Sequence, residues 1–135
     1  MTNEALNELL YQVTGIAMQV HSRLGPDHPE VAYHRALLQR LRTANLTVQD
    51  HPRLSLLDDS TNQTIIDYQG DLRVLNADTQ ALIELKSDPR GIQASDRRQV
   101  RAYLSVSPHD QAALLLNFGT PKLQHERVYA RRGAV

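Results

Sequence analysis

Apolar residues along the chain switch several times between helical and strand-like spacing, and the switches predict three helices and six strands. The helices are predicted over residues 3–22, 28–44 and 93–107. The strands are predicted over residues 46–57, 63–69, 71–75, 80–86, 111–117 and 123–129. The order is therefore two helices, four strands, one helix and two strands.

This order predicts an α/β fold. Residues 112–116 are all apolar, which is typical of a central strand buried on both faces. Because a helix precedes this strand, we expect it to run parallel to strand 80–86 through a crossover connection. Pro52 marks strand 46–57 as an edge strand or an irregular one. The expected architecture is one mixed β-sheet flanked by helices, in a single domain over residues 1–135 without repeats or a Pro/Gly-rich linker.

Composition narrows the functional classes. The 135 residues include no cysteine, which excludes disulfides and thiolate chemistry and fits a reducing, cytoplasmic compartment. No apolar run is long enough for a membrane span, and the N-terminus lacks the basic region of a secretory signal. Lys+Arg and Asp+Glu are equal at 15 each, so a strongly basic nucleic-acid coat is excluded. The six histidines lack metal-binding spacing, so a histidine-rich zinc site is not expected.

Candidate chemistry appears in the predicted hairpin of strands 71–75 and 80–86. A two-residue loop at Ala77-Asp78 would place Asp71 directly opposite Glu84, with their Cβ atoms roughly 4.5–5.5 Å apart. The two-residue period of a strand puts Lys86 on the same face as Glu84. Two carboxylates and one amine are therefore predicted to converge on one face.

These three groups allow two interpretations. Opposed carboxylates repel each other unless a cation, a proton or exposure to solvent relieves them. Oxygen ligands without sulfur suit a hard cation such as Mg²⁺, and a nearby amine can orient or activate a water molecule. The alternative is a solvated Glu-x-Lys ion pair without chemistry.

Glu30 also has two readings. At 100° per residue it projects within about 20° of the apolar Leu37 and Leu41, where a buried charge would require a partner or a metal. Alternatively, Asp27-x-x-Glu30 matches a capping box, in which the glutamate bonds to the backbone at the start of the helix.

The predicted helix 93–107 carries a second group of polar candidates. Gln99 and Tyr103 lie on one helical face beside Val100. Arg97, Arg98 and Arg101 form a local cationic strip that could contact phosphates. Alternatively, Tyr103 is an ordinary core residue, and the three arginines only form a solvated helix surface.

Together these residues resemble a known family. Asp71 with Glu84-Leu85-Lys86 resembles the D…(D/E)xK core of the PD-(D/E)XK nuclease superfamily, and Gln99-x-x-x-Tyr103 resembles the QxxxY motif of its RecB-like branch. Segments 24–37 and 114–119 resemble the small bacterial GxxExxY proteins, with similarity from roughly residue 8 to residue 129. This chain departs from the pattern at Asp27, where the signature has glycine, and at Gly70, where the superfamily motif has proline.

The resemblance implies a restriction-endonuclease-like αβββαβ core and metal-dependent hydrolysis of phosphodiester bonds in DNA or RNA. It implies that Asp71, Glu84 and the Leu85 carbonyl bind Mg²⁺, or Mn²⁺ as a substitute, and that Glu30 adds a ligand or holds a water molecule. Lys86 would then orient or activate the nucleophile. Gln99 and Tyr103 would brace the site or contact nucleic acid.

The neutral charge and small size also suggest a second hypothesis from another class. In it the chain is a catalytically weak or inactive nuclease-fold module that acts through a partner protein or as a homodimer. Because phosphate contacts supply most non-specific affinity for nucleic acid, we expect a chain without net charge to bind DNA weakly by itself.

Overall fold

A computed structural model describes residues 3–131 of the chain, and within that range it contains three helices and seven strands. The helices are α1 (Glu4–Leu24), α2 (Glu30–Thr43) and α3 (Ala94–Ser105). The strands are β1 (Thr47–Asp50), β2 (Arg53–Leu57), β3 (Thr64–Gln69), β4 (Leu72–Asn76), β5 (Thr79–Lys86), β6 (Ala112–Asn117) and β7 (Gln124–Tyr129). The sequence also offers Thr2 as an alternative cap of the first helix and Arg132 as part of an arginine-bearing C-terminal tail, and both residues lie outside the described range.

Five strands form one mixed sheet in the order β1-β4-β5-β6-β7. β5 and β6 are parallel, as predicted, and α3 provides the crossover between them. The remaining pairs in this sheet are antiparallel. The series α2, β1, β4, β5, α3 and β6 is the expected αβββαβ core, and this confirms the predicted fold class.

Helices cover both faces of the sheet, because β5 and β6 are apolar on both sides. Ala81, Ile83 and Leu85 point into a cluster with α1 and α2. Leu82 points into a second cluster, with Val100 and Leu104 of α3. Glu84 and Lys86 therefore belong to the face of β5 that α3 covers.

The predicted strand 46–57 is an edge strand and irregular at Pro52, as expected, but the prediction of one continuous strand was wrong. His51 has a positive φ of 51° and Pro52 follows it, so the chain leaves the sheet after β1. β2 and β3 then form a separate two-stranded sheet. This hairpin returns the chain to the main sheet at Gly70, whose amide donates to the Pro52 carbonyl at 2.9 Å.

The helix ends follow local chemistry, with one exception. Asn3 caps α1 by accepting from the Leu6 amide at 3.0 Å, and Gly25 ends that helix with a φ of 73°. In α2, however, Pro29 is the cap residue and no side chain caps the helix, so the predicted Asp27–Glu30 capping box does not form. Proline at this position leaves Glu30 as the first helical residue.

Within residues 3–131, no helix has both the length and the apolar character needed to cross a membrane.

Candidate functional site

The β4–β5 hairpin has the predicted register. Asn76 pairs with Thr79 across the two-residue turn, and Leu72 pairs with Ile83. One step further along, the Asp71 amide donates to Glu84 Oε2 at 2.6 Å, and Asp71 Oδ2 accepts from the Leu85 amide at 2.8 Å. The carboxylates of Asp71 and Glu84 are thus held side by side where β5 approaches its carboxyl end.

Glu84 is the most strongly perturbed acid of this group. Its side chain is buried, with the residue 3% exposed. Burial and the adjacent Asp71 carboxylate raise its pKa to about 8, against the lowering effects of the Asp71 amide and Lys86. A carboxyl held in this way is protonated near neutral pH unless a cation compensates its charge.

Lys86 lies beside this pair and is held from α3. Its Nζ donates to Gln99 Oε1 at 3.1 Å and lies 3.7 Å from Asp96 Oδ1. Asp96 also accepts from the Gln93 amide at 2.9 Å, which fixes its carboxylate at the start of α3. The first turns of α3 therefore position the amine at the carboxylate pair.

Glu30 reaches the same group from α2. Its side chain is exposed at the first residue of that helix, rather than buried with Leu37 and Leu41. Partial desolvation raises its pKa, the Asp71 carboxylate raises it further, and Lys86 opposes the shift. The three carboxylates and the amine are thus electrostatically coupled, although three separate elements carry them.

Tyr103 of α3 lies at the edge of the site, next to β3. It is 7% exposed, and its hydroxyl lies 3.4 Å from the Gln69 carbonyl just before Asp71. Burial, then the nearby Glu84 and Asp71 carboxylates, raise the pKa of Tyr103 to about 12. The ring packs against Tyr68 of β3 with centroids 5.1 Å apart, beside a recess of about 320 Å³ that Arg98 and Gln99 also line.

The Leu85 carbonyl faces the same edge of β5 as Asp71. The N–H and C=O of one strand residue point to the same side, and the Leu85 amide donates to the Asp71 carboxylate. In the neighbouring residue the direction is reversed, because the Lys86 carbonyl accepts from Phe118 on the β6 side. A main-chain oxygen is therefore available at the carboxylate pair.

The three arginines of α3 have different surroundings. Arg97 forms two hydrogen bonds to the Glu126 carboxylate of β7, at 2.9 and 3.0 Å. Arg101 is exposed on the same side, near β7. Arg98 is exposed at the recess that Gln99 and Tyr103 also line, on the side of α3 that carries the site residues.

Residues of α2 and of the end of β6 fix the backbone segments that surround the site. Tyr33 of α2 donates to the Gly25 carbonyl and stacks on Phe118 at 4.6 Å between centroids. Buried Asn117 accepts from the Asp88 amide and donates to the Asp88 carbonyl, which anchors the chain just after β5. These residues of the sequence motif thus pack around the site rather than face into it.

Asp96 is the site residue that sequence reasoning missed. It precedes Gln99 by three residues on the same helix, so both side chains lie on one face and reach the same amine. That spacing is a signal in the sequence, and it becomes informative only once Lys86 is known to lie beneath α3.

The donor set suits a hard divalent cation. Within residues 3–131, Asp71 and Glu84 each use one carboxylate oxygen for a backbone N–H, which leaves the second oxygen of each as a potential ligand. Glu30 and the Leu85 carbonyl are the candidates for further oxygen ligands, Glu30 through its electrostatic coupling to Asp71 and the carbonyl through its position at the same edge of β5. Oxygen ligands with clustered negative charge are the preference of Mg²⁺ and Mn²⁺.

Comparisons with known proteins agree with this fold. A crystal structure titled "Crystal structure of SSO0001" matches 87% of this chain at 15% identity and a TM-score of 0.54, and the match spans 65% of the length of that chain. Such a likeness shows the fold alone. No curated protein matches. A sequence model of the PD-(D/E)XK nuclease superfamily matches residues 7–128, and the chain therefore belongs to that superfamily.

Proposed function

We propose that the protein is a divalent-metal-dependent nuclease that hydrolyses phosphodiester bonds in DNA, with RNA as the alternative substrate. The superfamily consists generally of nucleases that use divalent metals. The observation that carries the proposal is the buried Glu84 carboxyl beside Asp71, with Lys86 held over the pair. We also propose that the protein is related to the GxxExxY proteins and to the RecB-like branch within that superfamily.

Asp71, Glu84, the Leu85 carbonyl and Glu30 would hold Mg²⁺. When bound, the ion supplies Lewis-acid stabilisation of the negative charge that develops on the phosphate.

Lys86 orients or activates the attacking water in this proposal. Gln99 and Asp96 limit the positions of its amine, so little conformational freedom is lost when substrate arrives. Tyr103 keeps its proton because its pKa is about 12, so its hydroxyl serves as a hydrogen-bonding group that braces the backbone ahead of Asp71. Arg98, exposed at the recess beside Gln99, would contact a neighbouring phosphate or base, whereas Arg97 already pairs with Glu126.

The direct experiment is cleavage of plasmid and single-stranded DNA, and of RNA, with Mg²⁺ or Mn²⁺. We expect cleavage by the unchanged protein and its loss in Asp71→Asn and Lys86→Ala. Asp78→Asn is the matched control, because Asp78 is an exposed acid in the turn at the opposite end of the same hairpin. Equal cleavage by Asp71→Asn and Asp78→Asn would contradict the proposal.

The alternative of an inactive nuclease-fold module predicts a different result. Such a protein would assemble with itself or a partner in light scattering, and its heat of Mg²⁺ binding would be absent or unchanged in Asp71→Asn. Calorimetric Mg²⁺ binding that Asp71→Asn abolishes would favour the enzyme.

A further inference from the structure

We propose that His34, Asp50 and His51 form a second metal site, which takes a late first-row divalent cation such as Zn²⁺. The sequence did not indicate it, because His34 and His51 are far apart along the chain. The fold brings one ligand atom from each of the three residues within 4.8 Å of the others. The proposal is independent of the nuclease assignment.

The distances suit ligands that share one ion. His34 Nε2 lies 2.7 Å from Asp50 Oδ1, and His51 Nε2 lies 3.7 Å from the same oxygen. Ligands bound tetrahedrally at Zn²⁺ distances are about 3.3 Å apart, so the two separations bracket the required value. The third separation, between the ligand atoms of His34 and His51, is within 4.8 Å. Because the two rings are stacked with an interplanar angle of 15°, they would also have to turn so that both lone pairs meet the ion, which would replace the proton between His34 and Asp50.

The ligand atoms of this site favour different metal ions from those favoured by the carboxylate pair. Two imidazoles and one carboxylate favour Zn²⁺, Co²⁺ or Ni²⁺, whereas the all-oxygen set at Asp71 and Glu84 favours Mg²⁺. Asp50 and His51 are exposed, so an ion can enter from solvent and keep water as a further ligand.

His51 has the supporting contact that a metal-binding histidine uses. Its Nδ1 lies 3.4 Å from the Gly70 carbonyl, which favours a proton on Nδ1 and a free lone pair on Nε2. Its backbone amide donates to the Asp71 carbonyl at 2.8 Å, and its φ of 51° lies in the region that residues other than glycine rarely occupy. This strained junction turns His51 onto His34, and the two rings stack at 4.6 Å between centroids.

The position suggests what the ion does. His34 is one turn after Glu30 on α2, while Asp50 and His51 lie where the chain leaves the main sheet and His51 bonds to the backbone of Asp71. An ion here would fasten the helix that carries Glu30 to the strand edge that carries Asp71. It would act as a structural clamp beside the carboxylate site.

The test is calorimetric titration of Zn²⁺ into the full-length chain carrying Asp71→Asn, which weakens competition from the carboxylate pair. We expect one Zn²⁺ per chain with micromolar affinity, and a loss of affinity of at least tenfold when His51→Asn is added. Because His51 is exposed, this variant should fold, and circular dichroism in EDTA checks that. His109→Asn is the matched control, since His109 is exposed in the loop that enters β6, beyond the opposite end of β5.

Titration with Co²⁺ gives a second readout, a visible absorption band that His51→Asn should remove and His109→Asn should retain. No one-to-one Zn²⁺ binding, or equal affinity with and without His51→Asn, overturns the proposal. Neither measurement uses nucleic acid, so a failed nuclease assay leaves the result intact.

Discussion

The backbone amide of Asp71 donates a 2.6 Å hydrogen bond to the buried carboxyl group of Glu84. That bond and the reciprocal one from the Leu85 amide to Asp71 lock two acids together across the hairpin. Because Glu84 is buried and Asp71 repels its charge, its pKa rises from 4.5 to about 8. Several properties of the protein follow from this one shift.

The metal-free protein should lose stability as pH rises from 4.5 to beyond about 8. The folded state binds a proton at Glu84 that the unfolded state releases above 4.5, so the free energy of unfolding falls through this window. Urea denaturation in EDTA at several pH values measures the effect.

Glu84→Gln is the control for that slope. Glutamine can still accept the Asp71 amide but cannot ionise, so the decline should be clearly shallower than in the unchanged protein. A variant that loses stability with pH as steeply as the original would show that Glu84 does not titrate in this window.

Mg²⁺ affinity should increase with pH if the site binds this ion. Binding requires the Glu84 carboxylate, so it should release about one proton below pH 8 and strengthen by about tenfold per pH unit well below that value. Calorimetry in two buffers of different ionisation enthalpy counts the released protons. A proton count near zero at pH 6.5 would contradict the assigned role of Glu84.

Lys86→Arg should abolish most cleavage although it preserves the charge. The guanidinium is larger and keeps its proton, so it cannot reproduce the geometry or proton chemistry of the amine held by Gln99. We expect a loss of 10²-fold or more in rate, of the order found for positioned acid–base groups. Mg²⁺ binding should change little, and this would separate loss of chemistry from loss of metal.

Arg98→Ala should weaken DNA binding more than Arg97→Ala. Arg97 already pairs with the Glu126 carboxylate, whereas Arg98 is exposed beside Gln99 and Tyr103. Losing one phosphate contact should reduce the salt slope of binding by about 0.9. Fluorescence anisotropy over a salt series in Ca²⁺ measures it, and a larger effect from Arg97→Ala would reverse the assignment.

Gly119→Ala should destabilise the fold, and Gly15→Ala should not. A Cβ on Gly119 would overlap the backbone of Ser87 and Asp88, just after β5, whereas a Cβ on Gly15 meets no atom within 4 Å. Gly15 is an exposed position of α1, where alanine should add about 0.5–1 kcal/mol of stability over glycine. Thermal denaturation of the two variants makes the comparison, and a stable Gly119→Ala protein would show that the loop after β5 can yield.

The local pattern of apolar and turn residues was enough to predict most helices and strands, and also the part of the candidate site that the β4–β5 hairpin carries. Apolar spacing determined the helices and the parallel β5–β6 pair, and the two-residue turn at Ala77-Asp78 determined the register that sets Asp71 opposite Glu84. These features depend on neighbours in sequence and on the fixed periods of helix and strand.

Only the tertiary structure decided how distant elements meet. It breaks strand 46–57 at His51, brings Asp96 to Lys86, pairs Arg97 with Glu126 and places His34 beside His51. The sequence alone could not show these contacts, because each depends on how a helix or hairpin packs against the sheet. Periodicity specifies which face a side chain takes, whereas packing of whole elements specifies which residue lies opposite that face.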